Sequence, residues 1–106
     1  MAASLQVSVV SPARIVFEGT ATALEVPAWD GRVGILPGHA PMLALLGAGP
    51  LSVERPGGGT DTFHVAGGVL KVERDVVTLL TEYAGTEPLR EIPAGMVVGP
   101  EELEGG

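Results

Sequence analysis

The sequence predicts an all-β domain, a flattened sandwich or barrel of about eight to ten short strands. Three observations carry that expectation. Apolar residues recur with period two over short runs, as in Leu5, Val7 and Val9 with Gln6 and Ser8 between them, the spacing of a strand with one buried face. Sixteen glycines and nine prolines cut the chain at close intervals, which suits many strands joined by turns. No stretch carries the i, i+3, i+4, i+7 repeat of a strong amphipathic helix.

The first strand ends at Ser11-Pro12-Ala13, because proline cannot donate to a ladder. Arg14 to Phe17 forms a short second strand, and Glu18-Gly19 reads as a turn into a third. In Thr20 to Val26, Leu24 and Val26 share one face while Ala23 and Glu25 share the other. Pro27 is expected to end that run, with Ala28-Trp29-Asp30-Gly31 as the following turn. Arg32 to Leu36 is a brief strand leading into Gly34-Ile35-Leu36-Pro37-Gly38-His39-Ala40-Pro41. This stretch is unusual, since its turn residues are embedded in apolar ones. It reads either as a rigid surface for a partner or as a buried corner.

Pro41 to Leu46 fits a helical turn or a strand, and Gly47-Ala48-Gly49-Pro50 breaks it. Leu51, Val53 and Arg55 alternate with Ser52 and Glu54 up to Pro56, and Gly57-Gly58-Gly59 makes a hairpin tip. Thr60 to Val65 returns with Phe63 and Val65 on one side. Gly67-Gly68 inside this pattern indicates a bulge or a close backbone approach. Val69 to Glu73 and Val76 to Thr81 flank a tight hairpin at Arg74-Asp75. Val76, Val77, Leu79 and Leu80 are apolar on both faces, which suggests a central strand. The domain is therefore expected over residues 1–84. Residues 85–106, with Pro88, Pro93, Pro100, several glycines and several glutamates, read as an extended or disordered tail.

Composition narrows the function. The net charge of −7, with six scattered basic residues, argues against binding nucleic acid or anionic lipid through the general field. No cysteine is present, so disulfides, thiolate metal sites and cysteine nucleophiles are excluded together. The N-terminus lacks a basic n-region and a long apolar run, so no signal peptide is expected. No apolar run approaches the ~20 residues of a membrane span, so the cytoplasm is the expected compartment.

Candidate chemistry is sparse. His39 and His64 are the two imidazoles, and neither lies in a His-x-His or His-x-x-x-His pair. His64 is expected to point opposite to Phe63 and Val65, into solvent. The serines, Ser4, Ser8, Ser11 and Ser52, stand outside any Gly-x-Ser-x-Gly elbow. Gly57-Gly58-Gly59-Thr60 lacks the lysine and helix of a phosphate loop. No catalytic, cofactor-binding or metal site is assembled by these patterns. A small metal-dependent sandwich or cupin-like enzyme using His39 and His64 stands as the alternative to a binding protein.

Several segments, read together, resemble the epsilon subunit family of rotary F-type ATP synthases. They are Leu5 to Pro12, Val16-Phe17-Glu18-Gly19, Asp30 to Pro41, Phe63 to Val72 and Val76 to Leu80. They occur in family order over roughly residues 4 to 84, and Gly-Ile-Leu-Pro-Gly-His-Ala-Pro at 34–41 is the specific one. The resemblance implies a non-enzymatic rotor subunit whose β-sandwich binds the gamma subunit and rests on the c-ring. It needs no cofactor, nucleic acid, membrane insertion or homo-oligomer. By position, the resemblance implies gamma contacts at Ser11, His39, Met42 and Ala44, and c-ring contacts at Trp29, Asp30, Gly31 and Arg32. It places the protein at the cytoplasmic face of the bacterial inner membrane, as a peripheral part of the complex. The family usually continues into two antiparallel helices that can inhibit ATP hydrolysis or bind ATP. Three prolines follow Ala84 and an Asp-x-x-Arg-Ala type of motif is missing, so neither role is expected here.

Overall fold

The computed structural model describes residues 3–100, which form eight strands. These are β1 (Leu5–Val10), β2 (Ile15–Ala21), β3 (Ala23–Ala28), β4 (Gly31–Ile35), β5 (Met42–Leu45), β6 (Ala48–Glu54), β7 (Thr60–Glu73) and β8 (Val76–Gly85). Hydrogen bonding runs in the order β2-β1-β8-β7-β6-β3-β4, with β5 on β7. The pairs are antiparallel except β1 with β8, which are parallel. The expected all-β sandwich is the observed architecture.

Two long strands serve both layers. The second half of β7 pairs with β5 from Val69 to Val72, and the first half pairs with β6 from Thr60 to Ala66. Between them Leu46 N–H donates to the Gly68 carbonyl and Gly67 N–H donates to that of Gly47, at 2.8 and 2.9 Å. β5 and β6 thus behave as one strand creased at Leu46-Gly47, opposite the Gly67-Gly68 crease of β7. The backbones here are too close for side chains. A Cβ on Gly68 would lie 1.9 Å from the Leu80 carbonyl oxygen, and one on Gly47 would lie 2.6 Å from that of Ala28. The close approach expected at Gly67-Gly68 is therefore real, and it is what folds the sheet on itself.

The period-two patterns then fill a single core. Leu5, Val7, Val9, Leu70, Val72, Val77 and Leu79 come from one layer, and Leu24, Val26, Ile35, Leu51, Val53 and Val65 from the other. The shortest extent of the molecule is 22 Å, which fits two sheets about 10 Å apart with side chains outside them.

Four boundaries differ from the expectations. Glu18-Gly19 is not a turn: β2 runs through it to Ala21, paired with Ser8 and Val7. Pro27 does not end β3 and Gly47 to Pro50 do not all lie outside a strand, since β3 reaches Ala28 and β6 begins at Ala48. The reason is shared. β3 and β6 pair at Ala23–Glu54, Leu24–Val53 and Glu25–Ser52 and then part. Past that point the contact resumes in a shifted register, where Gly47 N–H donates to the Pro27 carbonyl and Trp29 N–H to the Leu45 carbonyl, so neither proline nitrogen is asked to donate there. Pro41 to Leu46 resolves as strand β5. The last strand is longer than expected, ending at Gly85.

The remaining turns match their residues. Gly57, Gly58 and Gly59 have φ of 83°, 107° and 91°, and Arg74 and Asp75 of 51° and 61°. The second pair gives the doubly left-handed turn whose twist suits a two-residue hairpin. Beyond β8, the chain folds back along the sandwich: Tyr83 Oη donates to the Glu87 carbonyl at 2.5 Å. Met96 lies over Gly67, where an added Cβ would meet its carbonyl oxygen at 1.8 Å. Residues 101–106 of the expected tail lie outside the described residues.

Candidate functional site

Alternation on the strands fixes which residues face outward. On β8, Val77, Leu79 and Thr81 are buried, which turns Val76, Thr78 and Leu80 to the outer face. The partners of Leu80 on that face can be followed strand by strand. Leu45 pairs with Val69, Val69 with Leu80, Leu80 with Val10, and Val10 with Ile15. An unbroken apolar row therefore crosses five strands from β5 to β2. Leu80 is 55% and Ile15 58% exposed, and Leu43 beside the row is 73% exposed. Contiguous exposed apolar surface is where protein domains tend to meet partners, which makes this face the candidate site.

The expected gamma-contact residues surround this face. Ser11 follows Val10 at one end, where its N–H donates to the Arg14 carbonyl at 2.9 Å. His39 sits at the opposite end, in the loop between β4 and β5. There its N–H donates to the Leu36 carbonyl at 3.1 Å, and Nδ1 lies 2.7 Å from the Ala40 carbonyl oxygen. This loop is tied to the β7–β8 turn, since Gly38 N–H donates to Asp75 Oδ1 at 2.7 Å. Met42 and Ala44 lie on β5 at the edge of the face, but their side chains pack against the core. The outward positions of β5 are Leu43 and Leu45.

The second predicted group forms the β3–β4 hairpin. Trp29 and Asp30 make its turn, Gly31 carries a φ of 137°, and Arg32 pairs with Glu25 through an ion pair and hydrogen bond. Trp29 is 42% exposed, and its N–H donates to the Leu45 carbonyl at 3.0 Å. The Trp29 turn thus adjoins the β5 end of the apolar row.

The two imidazoles are not brought together. His64 lies near the start of β7, while His39 lies beside the turn that follows its end. Nor is His64 turned into open solvent. It is half-buried beside a cavity of about 210 Å³, with Tyr83, Leu89 and Ile92 also lining it. Pro88, Leu89 and Ile92, from the segment after β8, provide that cover. Among the described residues no three His, Asp or Glu side chains are grouped to hold a metal. With the imidazoles at separate places, the metal-enzyme alternative loses its geometric basis.

Sequence reasoning missed the row itself. Its signal lies in the doubled apolar pairs Val9-Val10 and Leu79-Leu80, where strict alternation would place a polar residue outside. Such pairs also fit a central strand, which β8 is, flanked by β1 and β7. The outer face is nevertheless left open.

Comparison with known proteins gives this surface a context. The family model for the ATP synthase delta/epsilon chain β-sandwich domain matches residues 4–87. The ATP synthase epsilon chain of Nitrosococcus oceani is 43% identical over 84 residues, covering 79% of this chain and 60% of that protein. The epsilon chain of Micrococcus luteus is 43% identical over 77 residues, covering 73% and 85%. Against the first, and several others like it, this chain spans about 60% of the relative's length. Among solved structures, a chain of the Euglena gracilis mitochondrial ATP synthase (OSCP/F1/c-ring) superposes with a TM-score of 0.73 at 28% identity, over 86% of this chain and 57% of that one. A chain of the Tetrahymena thermophila central stalk and c-ring, at 14% identity and a TM-score of 0.61, shares the fold over 76% of this chain and 64% of its own. With the match running from the first strand to just past the last, the chain belongs to the ATP synthase delta/epsilon chain family and carries its β-sandwich domain.

Proposed function

We propose that this chain is a non-catalytic rotor subunit of a proton- or sodium-translocating F-type ATP synthase. It docks on the gamma subunit through its five-stranded outer face and on the c-ring through the Trp29–Arg32 turn. The observation that carries this reading is the exposed apolar row Leu45–Val69–Leu80–Val10–Ile15 on a member of that family. Ser11 and His39 bracket the contact from its two ends. Met42 and Ala44 anchor β5 from beneath, which turns Leu43 and Leu45 outward. Trp29, Asp30, Gly31 and Arg32 form a separate contact, with the indole as the side chain that fills a pocket.

The mechanics follow from stiffness. A joint that transmits torque must not bend under load, and Pro37 and Pro41 fix φ on either side of His39, lowering the ordering cost of docking. The β-crease at Gly67-Gly68 locks the two layers to each other. Ion flow turns the c-ring, and the sandwich passes that rotation to gamma without chemistry of its own. The subunit is peripheral in this reading, at the cytoplasmic face of the bacterial inner membrane. No helix of the described residues is long and apolar enough to cross a membrane. The sandwich extends through β8, with residues 86–99 as its cover.

Size-exclusion chromatography of the full chain with the gamma subunit of its own complex tests the reading. Co-elution as a one-to-one complex is expected. Separate elution at micromolar concentrations would overturn it.

A further inference from the structure

The β4–β5 loop lies between two strands of different layers, and its direction is set by a bond to a third element. Gly38, with φ of 87°, turns its N–H towards the β7–β8 hairpin, and Asp75 Oδ1 accepts it at 2.7 Å. A short bond from an amide to a carboxylate is the stronger, charge-assisted kind. Asp75 itself cannot drift. Its left-handed φ of 61° belongs to the two-residue turn, and its carbonyl accepts the Gln6 N–H at 2.8 Å. One residue therefore ties the start of β1, the β7–β8 turn and the loop bearing His39.

We propose that Asp75 is a positioning residue for docking, whose carboxylate holds the Leu36–Pro41 loop at the angle that presents His39 to the partner. This rests on the docking reading above. Asp75 need not touch gamma, because its effect passes through the Gly38 amide. Two substitutions separate the carboxylate from the backbone. Asp75→Asn keeps an acceptor at the same atom and tolerates left-handed φ. Asp75→Gly keeps the backbone free to adopt that φ and removes the acceptor. The Gln6 bond reaches the main chain, so both retain it.

The test combines gamma-binding affinity with hydrogen exchange at the Gly38 amide, for the unchanged chain and both variants. D75G is expected to weaken binding by about tenfold, the effect of roughly one charge-assisted bond, and to speed Gly38 exchange by at least that factor. D75N is expected to restore both to within about threefold of the unchanged chain. Faster exchange in D75G with unaltered gamma affinity would overturn the positioning role and leave the docking reading standing. Unaltered exchange would show that the loop is held by other means and also overturn it. If the unchanged chain fails to bind gamma, the docking reading falls first and this inference falls with it.

Discussion

Thr81 shows how a single hydroxyl repairs the damage that the crease does to the ladder. It is the one buried polar residue among the described core, and its Oγ1 lies 2.8 Å from the carbonyl oxygens of both Gly67 and Tyr83. Thr81→Val conserves the shape and removes the one proton those two acceptors share, so it should lower the unfolding free energy by about 1–3 kcal/mol. Urea denaturation of the two proteins measures this, and equal midpoints would mean that water satisfies the carbonyls. Gly68→Ala is expected to be worse, because its Cβ would meet backbone and not a movable side chain. The glycine pair was readable in the sequence, since glycines weaken a strand interior and are kept there mainly where backbones bulge or meet closely. Thr81 was not, because nothing local distinguishes a threonine that faces a crease from one that faces water.

At the scale of elements, β8 and the hairpin that starts it offer two contrasting tests. Leu80 faces outward and is half exposed, so Leu80→Glu should leave stability within about 0.5 kcal/mol while weakening gamma association at least tenfold. Comparable losses in both measurements would mean that the row is packed internally. Arg74 adopts a left-handed conformation that suits Asn or Gly better. Arg74→Asn is accordingly expected to stabilise the domain by about 0.5–1 kcal/mol, read as a rise in the thermal midpoint. Strand existence was legible from period two, but strand ends were misjudged at Pro27 and Pro50. A proline stops a strand only where a neighbour asks for its N–H, and that neighbour is a tertiary fact. The Gly34–Pro41 stretch was legible as an oddity, and the family resemblance suggested a partner for it. The row beside it needed the register of five strands.

Across the whole molecule, the sandwich depends on the segment that follows it. Leu89, Ile92 and Met96 cover His64, Tyr83 and Gly67. Ending the chain after Gly85 removes that cover and should cost about 1–3 kcal/mol, the scale of one or two partly buried apolar side chains. Calorimetry on the shortened and full chains decides it, and an unchanged midpoint would show the segment to be a passive appendage. One further property follows from the parallel pairing of β1 with β8. The domain's first strand is completed by its last, so the layer that carries the apolar row cannot close until almost the whole domain has been made. Such first-with-last pairing gives a high contact order, and refolding in milliseconds to seconds is expected. In the cell, half-made chains cannot display the finished face. Any partner of that face would meet a finished sandwich or none.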